Sequence, residues 1–344
     1  MGRDVKFIIR VGEDYKLEKA VCNHGWFMMA PNNWDPSTKT LTRPLRLTNH
    51  TSLTASIHQP SFLNLLYVTV LLDSHYALSH LDQLFIQSQV ERMLRISSED
   101  DRVVHEFHDV NPRAKEIGFG RIFRSPSLFE DIVKTILLCY SSWPRSLEMA
   151  QALCTLQHKE ICCGSRKKRK HCDCNGNFPS PNEIASLDFD TLKRHCNLGM
   201  RASTIYELAR DIQNGTLNLD DLSPPIDPPQ IHARLMKIKG FGSFVVANIM
   251  MCLGIYQYIP IDTETIKHLE QVHGKKKIKG RKAQQEAVAQ IYDEFAPYQC
   301  ITYWMERVDF YEKRLGKLSE IPCTEYRYVT STIIENVHKT SHFK

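Results

Sequence analysis

The sequence predicts an α+β protein, with an N-terminal antiparallel β-sheet domain followed by an all-helical body. Three observations predict it. Up to about residue 80 apolar residues alternate in short β-branched runs set between turn residues. Beyond about residue 105 they recur at helical spacing, and residues that start and stop helices bracket the later segments. The 344 residues, 42% of them hydrophobic, suffice for a sizeable core in one or two packed units. The expected boundaries are 1–105 for the β-rich unit and 106–316 for the helical body, which carries a basic, cysteine-rich insertion at about 158–177. The tail, 317–344, has weak periodicity and is expected to be partly disordered.

In chain order, "VKFIIRV", "KTLTRPLRL", "SLTASIH" and "LLYVTVLL" read as strands, and "APNNWDPST" and "TNHTS" punctuate them. "AVCNHGWFMMAPNNW" is rich in aromatics and methionine, as core packing is. Residues 77–97 switch to a helical period. "SLFEDIVKTILLCYSSW" opens with Ser127 and Glu130 at capping-box spacing. "SPNEIASL" repeats the device with Ser180 and Glu183, adding Pro181 at the first turn. "LGMRASTIYELARDIQNG" is amphipathic, with Gly215 placed to stop it. The proline-rich 221–230 connects to a glycine-turned pair of apolar segments, and "RKAQQEAVAQIYDEFA" and "ITYWMERVDFYEKRLG" are the last helices.

The formal charge of +5 permits a polyanionic partner without demanding one, and the basic residues cluster in "RKKRK" (166–170) and "KKKIKGRK" (275–282). No apolar run reaches membrane-span length, and the N-terminus lacks the apolar centre of a signal peptide. Lys6 occupies the position where myristoylation wants Ser or Thr. Eleven cysteines are therefore expected as reduced thiols in an intracellular protein. Cys154, Cys162, Cys163, Cys172 and Cys174, with His158 and His171, raise zinc as a possibility. Their spacing holds no C-x-x-C pair, so a flexible basic loop with free thiols is the preferred reading.

The chemistry-bearing stretch is "KGFGSFVVANIMMCLGIYQYIPID". Gly240 and Gly242 allow a corner that side chains forbid, and the next helix begins with amides lacking partners. Such amides suit a phosphate, although a plain helix-to-helix turn has the same pattern. Asp262, ahead of "TETIKHLEQVHG", fits a helix cap equally well. The two features together resemble the helix-hairpin-helix (HhH-GPD) DNA glycosylase superfamily, whose signature is this hairpin, an apolar helix and then a catalytic Asp. "FPSPNEIASLDFDTLKRHCNLGMRASTIYELARDI" resembles the 8-oxoguanine glycosylase and 3-methyladenine glycosylase II branches. "SPSLFEDIVKTILLCYSSW" resembles the helix before their DNA-wedging loop. "GWFMMAPNNWDP" is similar to their amino-terminal sheet domain, and closest to plant members. The resemblance covers roughly residues 15–315.

The resemblance implies a DNA N-glycosylase of base-excision repair that flips a damaged or mismatched base and uses Asp262 to assist hydrolysis. It implies DNA contacts from Gly240, Gly242 and Val245, with Lys239 nearby for phosphate, and a K+ or Na+ ion on the carbonyls of Met236, Ile238 and Phe241. Bifunctional members carry a lysine nucleophile where this chain has Phe244, so no AP-lyase activity is expected. Tyr140 stands at the wedge, either to intercalate or to end its helix against the core. Arg201 matches an arginine beside the orphaned base, or forms a surface salt bridge; Met200 replaces a frequent aromatic. Asn248 lines up with the base pocket or bonds within its helix. Only Cys300 and Cys323 lie late enough for the family's iron–sulfur cluster, so none is expected, and no cofactor is required. The expected partner is double-stranded DNA, bound by a monomer away from membranes, and "RKKRK" is compatible with a nuclear address. The alternative is a catalytically inactive DNA-binding protein that keeps the fold. A helical protein–protein adaptor is a poorer reading, because it needs neither the corner nor the acid. The residues do not name the lesion.

Overall fold

The computed structural model describes residues 3–61, 63–72, 77–162, 176–222, 226–276 and 278–331. Five strands, β1 (Arg3–Arg10), β2 (Asn33–Asp35), β3 (Thr40–Arg46), β4 (Ser52–His58) and β5 (Leu65–Leu72), form one antiparallel sheet in the order β1-β5-β4-β3-β2. The period-two pattern sends Leu41, Leu45, Ala55, Ile57, Val68 and Val70 to the buried face. β2 lies inside a stretch that reads as turn punctuation, because three residues are too few for a period to register.

Fourteen helices accompany the sheet among the described residues: α1 (Leu17–Val21), α2 (His80–Leu94), α3 (Ser98–Val110), α4 (Pro112–Ile117), α5 (Leu128–Leu138), α6 (Trp143–Leu156), α7 (Pro181–Ser186), α8 (Phe189–His195), α9 (Arg201–Gln213), α10 (Pro228–Leu235), α11 (Ser243–Leu253), α12 (Thr263–His273), α13 (Arg281–Tyr292) and α14 (Gln299–Leu315). α1 lies between β1 and β2, and α2 occupies the segment 77–97 that reads with a helical period. α5 and α11 pack against each other in the middle of that body, and both are buried along most of their length. A second, smaller core of Leu269, Ala287, Val288, Tyr292 and Tyr303 joins α12, α13 and α14. No described helix is long and apolar enough to cross a membrane.

Polar groups fix the joints. Ser180 and Glu183 close a full capping box, with Ser180 N donating to Glu183 Oε2 at 2.6 Å. The box read at Ser127 is only half formed. Ser127 Oγ accepts from Glu130 N at 3.2 Å, but the Glu130 carboxylate turns inward to Arg43 at 2.9 Å and Lys134 at 2.7 Å. Arg43 sits on the buried face of β3, so this charged trio joins the sheet to α5. Burial works to raise the Glu130 carboxyl, yet Arg43 and Lys134 hold it at about 2. Arg95, also buried, donates to the carbonyls of Met251 at 2.7 Å and Cys252 at 3.0 Å, placing a cation on the C-terminal end of α11.

Residues 318–331, the described part of the tail, pack on the body. Leu318, Ile321 and Tyr326 are buried there, despite weak periodicity, because short 3-10 turns fit the segment to the body. Trp143 Nε1 donates to the Tyr326 carbonyl at 2.8 Å and Trp34 Nε1 to that of Ser319 at 2.9 Å. The "RKKRK" run and Cys163, Cys172, Cys174 and His171 lie outside the described residues.

Candidate active site

α10 and α11 are joined by a turn in which Gly240 has φ +85°. A Cβ there would stand 2.8 Å from Thr204 Cγ2 on α9, so glycine is required both by the backbone and by the neighbour. Gly242 is different. Its φ of −103° suits any residue, and a Cβ would meet nothing within 4 Å. Gly242 caps α11 without a side-chain bond, and the amides of Ser243, Phe244 and Val245 have no acceptor among the described residues. These donors open on a cleft of about 1060 Å³.

Asp262 lies on the same cleft, as the N-cap of α12. Its Oδ1 accepts from Thr265 N at 2.8 Å and from Thr265 Oγ1 at 3.0 Å. Thr265 Oγ1 also meets the Pro260 carbonyl at 2.9 Å and Tyr303 OH at 3.0 Å, which locks the cap. Oδ2 has no partner among the described residues. The cap and a reactive carboxylate are therefore not exclusive: one oxygen fixes the residue and the other is left over. Burial raises the Asp262 carboxyl above the ordinary range, against the opposing pull of Thr265 and Arg307. The buried Arg307 clamps the next turn, donating to the Glu264 carbonyl at 3.0 Å and to Glu264 Oε2 at 3.2 Å.

Gly240, Gly242, Phe244, Val245, Asn248, Tyr140, Met200 and Arg201, all named from the sequence, line this cleft together with Asp262. Tyr140 is 94% exposed with φ +50°, so it does not end its helix against the core; a left-handed tyrosine projects at the rim without internal support. Met200, 72% exposed, is also at the rim. Arg201 is not the surface salt bridge of its alternative reading. It is buried, and its guanidinium donates to the carbonyls of Cys139 and Leu198, which ties the turn before α9 to the residue preceding Tyr140. Asn248 donates to the Phe244 carbonyl at 2.9 Å within α11, and its Oδ1 has no partner among the described residues.

Lys239 is exposed, does not line the cleft and pairs with Glu207 on α9 at 2.9 Å. Met236, Ile238 and Phe241 lie in the hairpin turn, and the Ile238 carbonyl accepts from Phe241 N at 3.1 Å, keeping a second lone pair. Backbone carbonyls are a donor type that hard cations accept.

Sequence reasoning missed several lining residues. Trp304, Arg307 and Tyr311 enter from α14, and Trp26 and His24 come from the sheet domain. Burial holds His24 neutral, at about 3. The signal for the α14 group was an i, i+4, i+8 row of Tyr303, Arg307 and Tyr311, which reads equally as a packing face. Lys267, on α12 and 3.5 Å from Glu264, is a cleft lysine that the reading centred on Phe244 did not consider.

No family model matches the chain. Over 129 residues, 37% of this chain, it is 29% identical to Bacillus subtilis YfjP, provisionally assigned as a DNA-3-methyladenine glycosylase; the match spans 44% of that relative, less than half its length. Among solved structures, 3-methyladenine DNA-glycosylase from Archaeoglobus fulgidus superimposes with a TM-score of 0.63 at 16% identity, covering 89% of this chain and 99% of that one. The Clostridium acetobutylicum 8-oxoguanine glycosylase/lyase, solved with double-stranded DNA containing cytosine opposite 8-oxoguanine, gives 0.60 at 16% identity over 90% and 98%. These neighbours share the amino-terminal sheet and the helical body, so the chain has the fold of the 8-oxoguanine and 3-methyladenine DNA glycosylases.

Proposed function

We propose that the protein is a monofunctional DNA N-glycosylase that removes a damaged or mismatched base by hydrolysis in base-excision repair. One observation carries the reading: the unpartnered amides of α11 and the leftover oxygen of Asp262 open on a single cleft. A phosphate of the DNA backbone docks on the amides of Ser243, Phe244 and Val245, approaching through the space that Gly242 leaves. K+ or Na+ on the carbonyls of Met236, Ile238 and Phe241 would add positive charge beside it. Tyr140 fills the gap left by the extruded nucleotide. Loss of the base builds positive charge on the sugar, and Asp262 Oδ2 stabilises that charge or orients the attacking water.

Trp26, Trp143, Trp304, Phe244 and Tyr311 face the cleft with a neutral His24. Aromatic faces favour a flat, positively charged N-alkylated base over a neutral oxidised one that needs matched hydrogen-bond partners. Phe244 cannot form a Schiff base, and Lys267 is engaged beside Glu264, which supports hydrolysis without strand cleavage. A second reading, a DNA-binding protein without catalysis, draws on the use of Asp262 Oδ1 as a cap.

The test is a panel of duplexes carrying alkylated, oxidised, deaminated and mismatched bases, scored for alkali-revealed abasic sites. Excision of an alkylated base that is lost in Asp262→Asn is the expected result. Binding with no excision from any duplex supports the second reading instead. Borohydride trapping of a protein–DNA adduct, abolished by Lys267→Gln, would overturn the monofunctional assignment.

A further inference from the structure

Outside the cleft, α12, α13 and α14 bring His268, His273, Tyr292 and Glu306 together. His268 Nε2 lies 3.3 Å from Glu306 Oε2, His273 Nε2 2.9 Å from the same atom, and Tyr292 OH donates to it at 2.6 Å. Two imidazole nitrogens and a phenol thus crowd one carboxylate oxygen, while Oε1 has no partner among the described residues. The ligand atoms of His268, His273 and Glu306 all lie within 4.8 Å of one another. Tetrahedral zinc with bonds of about 2.0–2.2 Å needs ligand atoms about 3.3–3.6 Å apart, so side-chain adjustments of about 1 Å place an ion among them.

We propose that His268, His273 and Glu306 bind a divalent transition-metal ion of the zinc class, with Tyr292 or water in the fourth position. One cation would sit among the two imidazole nitrogens and the carboxylate that now crowd together, and Tyr292 could then keep its bond to Glu306. Two imidazoles and one carboxylate suit zinc better than magnesium or calcium, which take oxygen ligands. His268 is buried, whereas His273 and Glu306 are half-buried, so the site is reached from the C-terminal end of α12. The ion would bolt α12, the helix that begins at Asp262, to α14 across the small second core.

The experiment is titration of Co2+, then Zn2+, into chelator-stripped full-length protein. The expected result is one equivalent of Co2+ with the visible absorption of a four-coordinate nitrogen and oxygen site, no sulfur-to-cobalt charge-transfer band, and a raised melting temperature. His273→Gln, at a half-buried position, is expected to stay folded and to weaken binding by at least about 100-fold. No cobalt spectrum from folded protein overturns the proposal. So does a sulfur-to-cobalt band that survives His273→Gln, which would put the ion among the cysteines of the insertion.

Discussion

One oxygen of Asp262 caps α12 and the other is the one proposed to act in excision, and substitutions separate the two roles. Asparagine keeps the capping oxygen but not the charge. Asp262→Asn is therefore expected to lose excision by about 100-fold to 10,000-fold with little change in melting temperature. Asp262→Ala loses both functions and about 1 kcal/mol of stability, and paired melting and single-turnover assays distinguish the two variants. Because the proposed active form is the carboxylate and burial raises its titration point, excision should fall with decreasing pH earlier than an exposed aspartate would dictate. A pH–rate profile whose acid limb matches an ordinary exposed carboxyl would count against Asp262. The hairpin glycines separate in the same way. Gly240→Ala meets Thr204 in a left-handed conformation and should cost about 1–3 kcal/mol. Gly242→Ala finds open space and should fold almost normally, yet weaken binding to duplex DNA, as a gel-shift titration would measure.

At the level of elements, α11 is held by what its own sequence does not contain. Arg95, from the end of α2, seals its last carbonyls, and Arg95→Leu should cost about 3 kcal/mol by chemical denaturation. That arginine carries no sequence signal for its role, because its partners are more than 150 residues away in the chain. Legibility followed this division between local and distant causes. The long strands were readable because alternation is local, and so were the full capping box at Ser180 and the stop at Gly215. β2 was too short to show a period, and the Glu130 side chain left its expected cap for a buried cation on another element. In the cleft, the hairpin, Asp262 and Tyr140 could be named because motif order fixes them. Trp304, Arg307 and Tyr311 could not, since an inward row on a helix has the same spacing whether it faces a core or a cavity. The carbonyls that the Arg201 guanidinium meets are announced by no sequence pattern.

For the whole molecule, the Arg43–Glu130–Lys134 trio is a buried polar joint between sheet and helical body. Glu130→Gln strands two buried cations and is expected to cost about 3–5 kcal/mol. The sign with pH follows from the depressed carboxyl. The stabilisation is complete above the ordinary value of 4.5 and drains away as the pH falls toward about 2. Acid unfolding of the wild type should therefore steepen through that window, and the glutamine variant should lack that component. Residues 318–331, which latch onto both Trp34 and Trp143, have a practical consequence of their own. Each indole is a built-in lamp whose colour reports its surroundings. If a protease peels the segment away, newly wetted rings should redden the emission before the rest of the protein gives way.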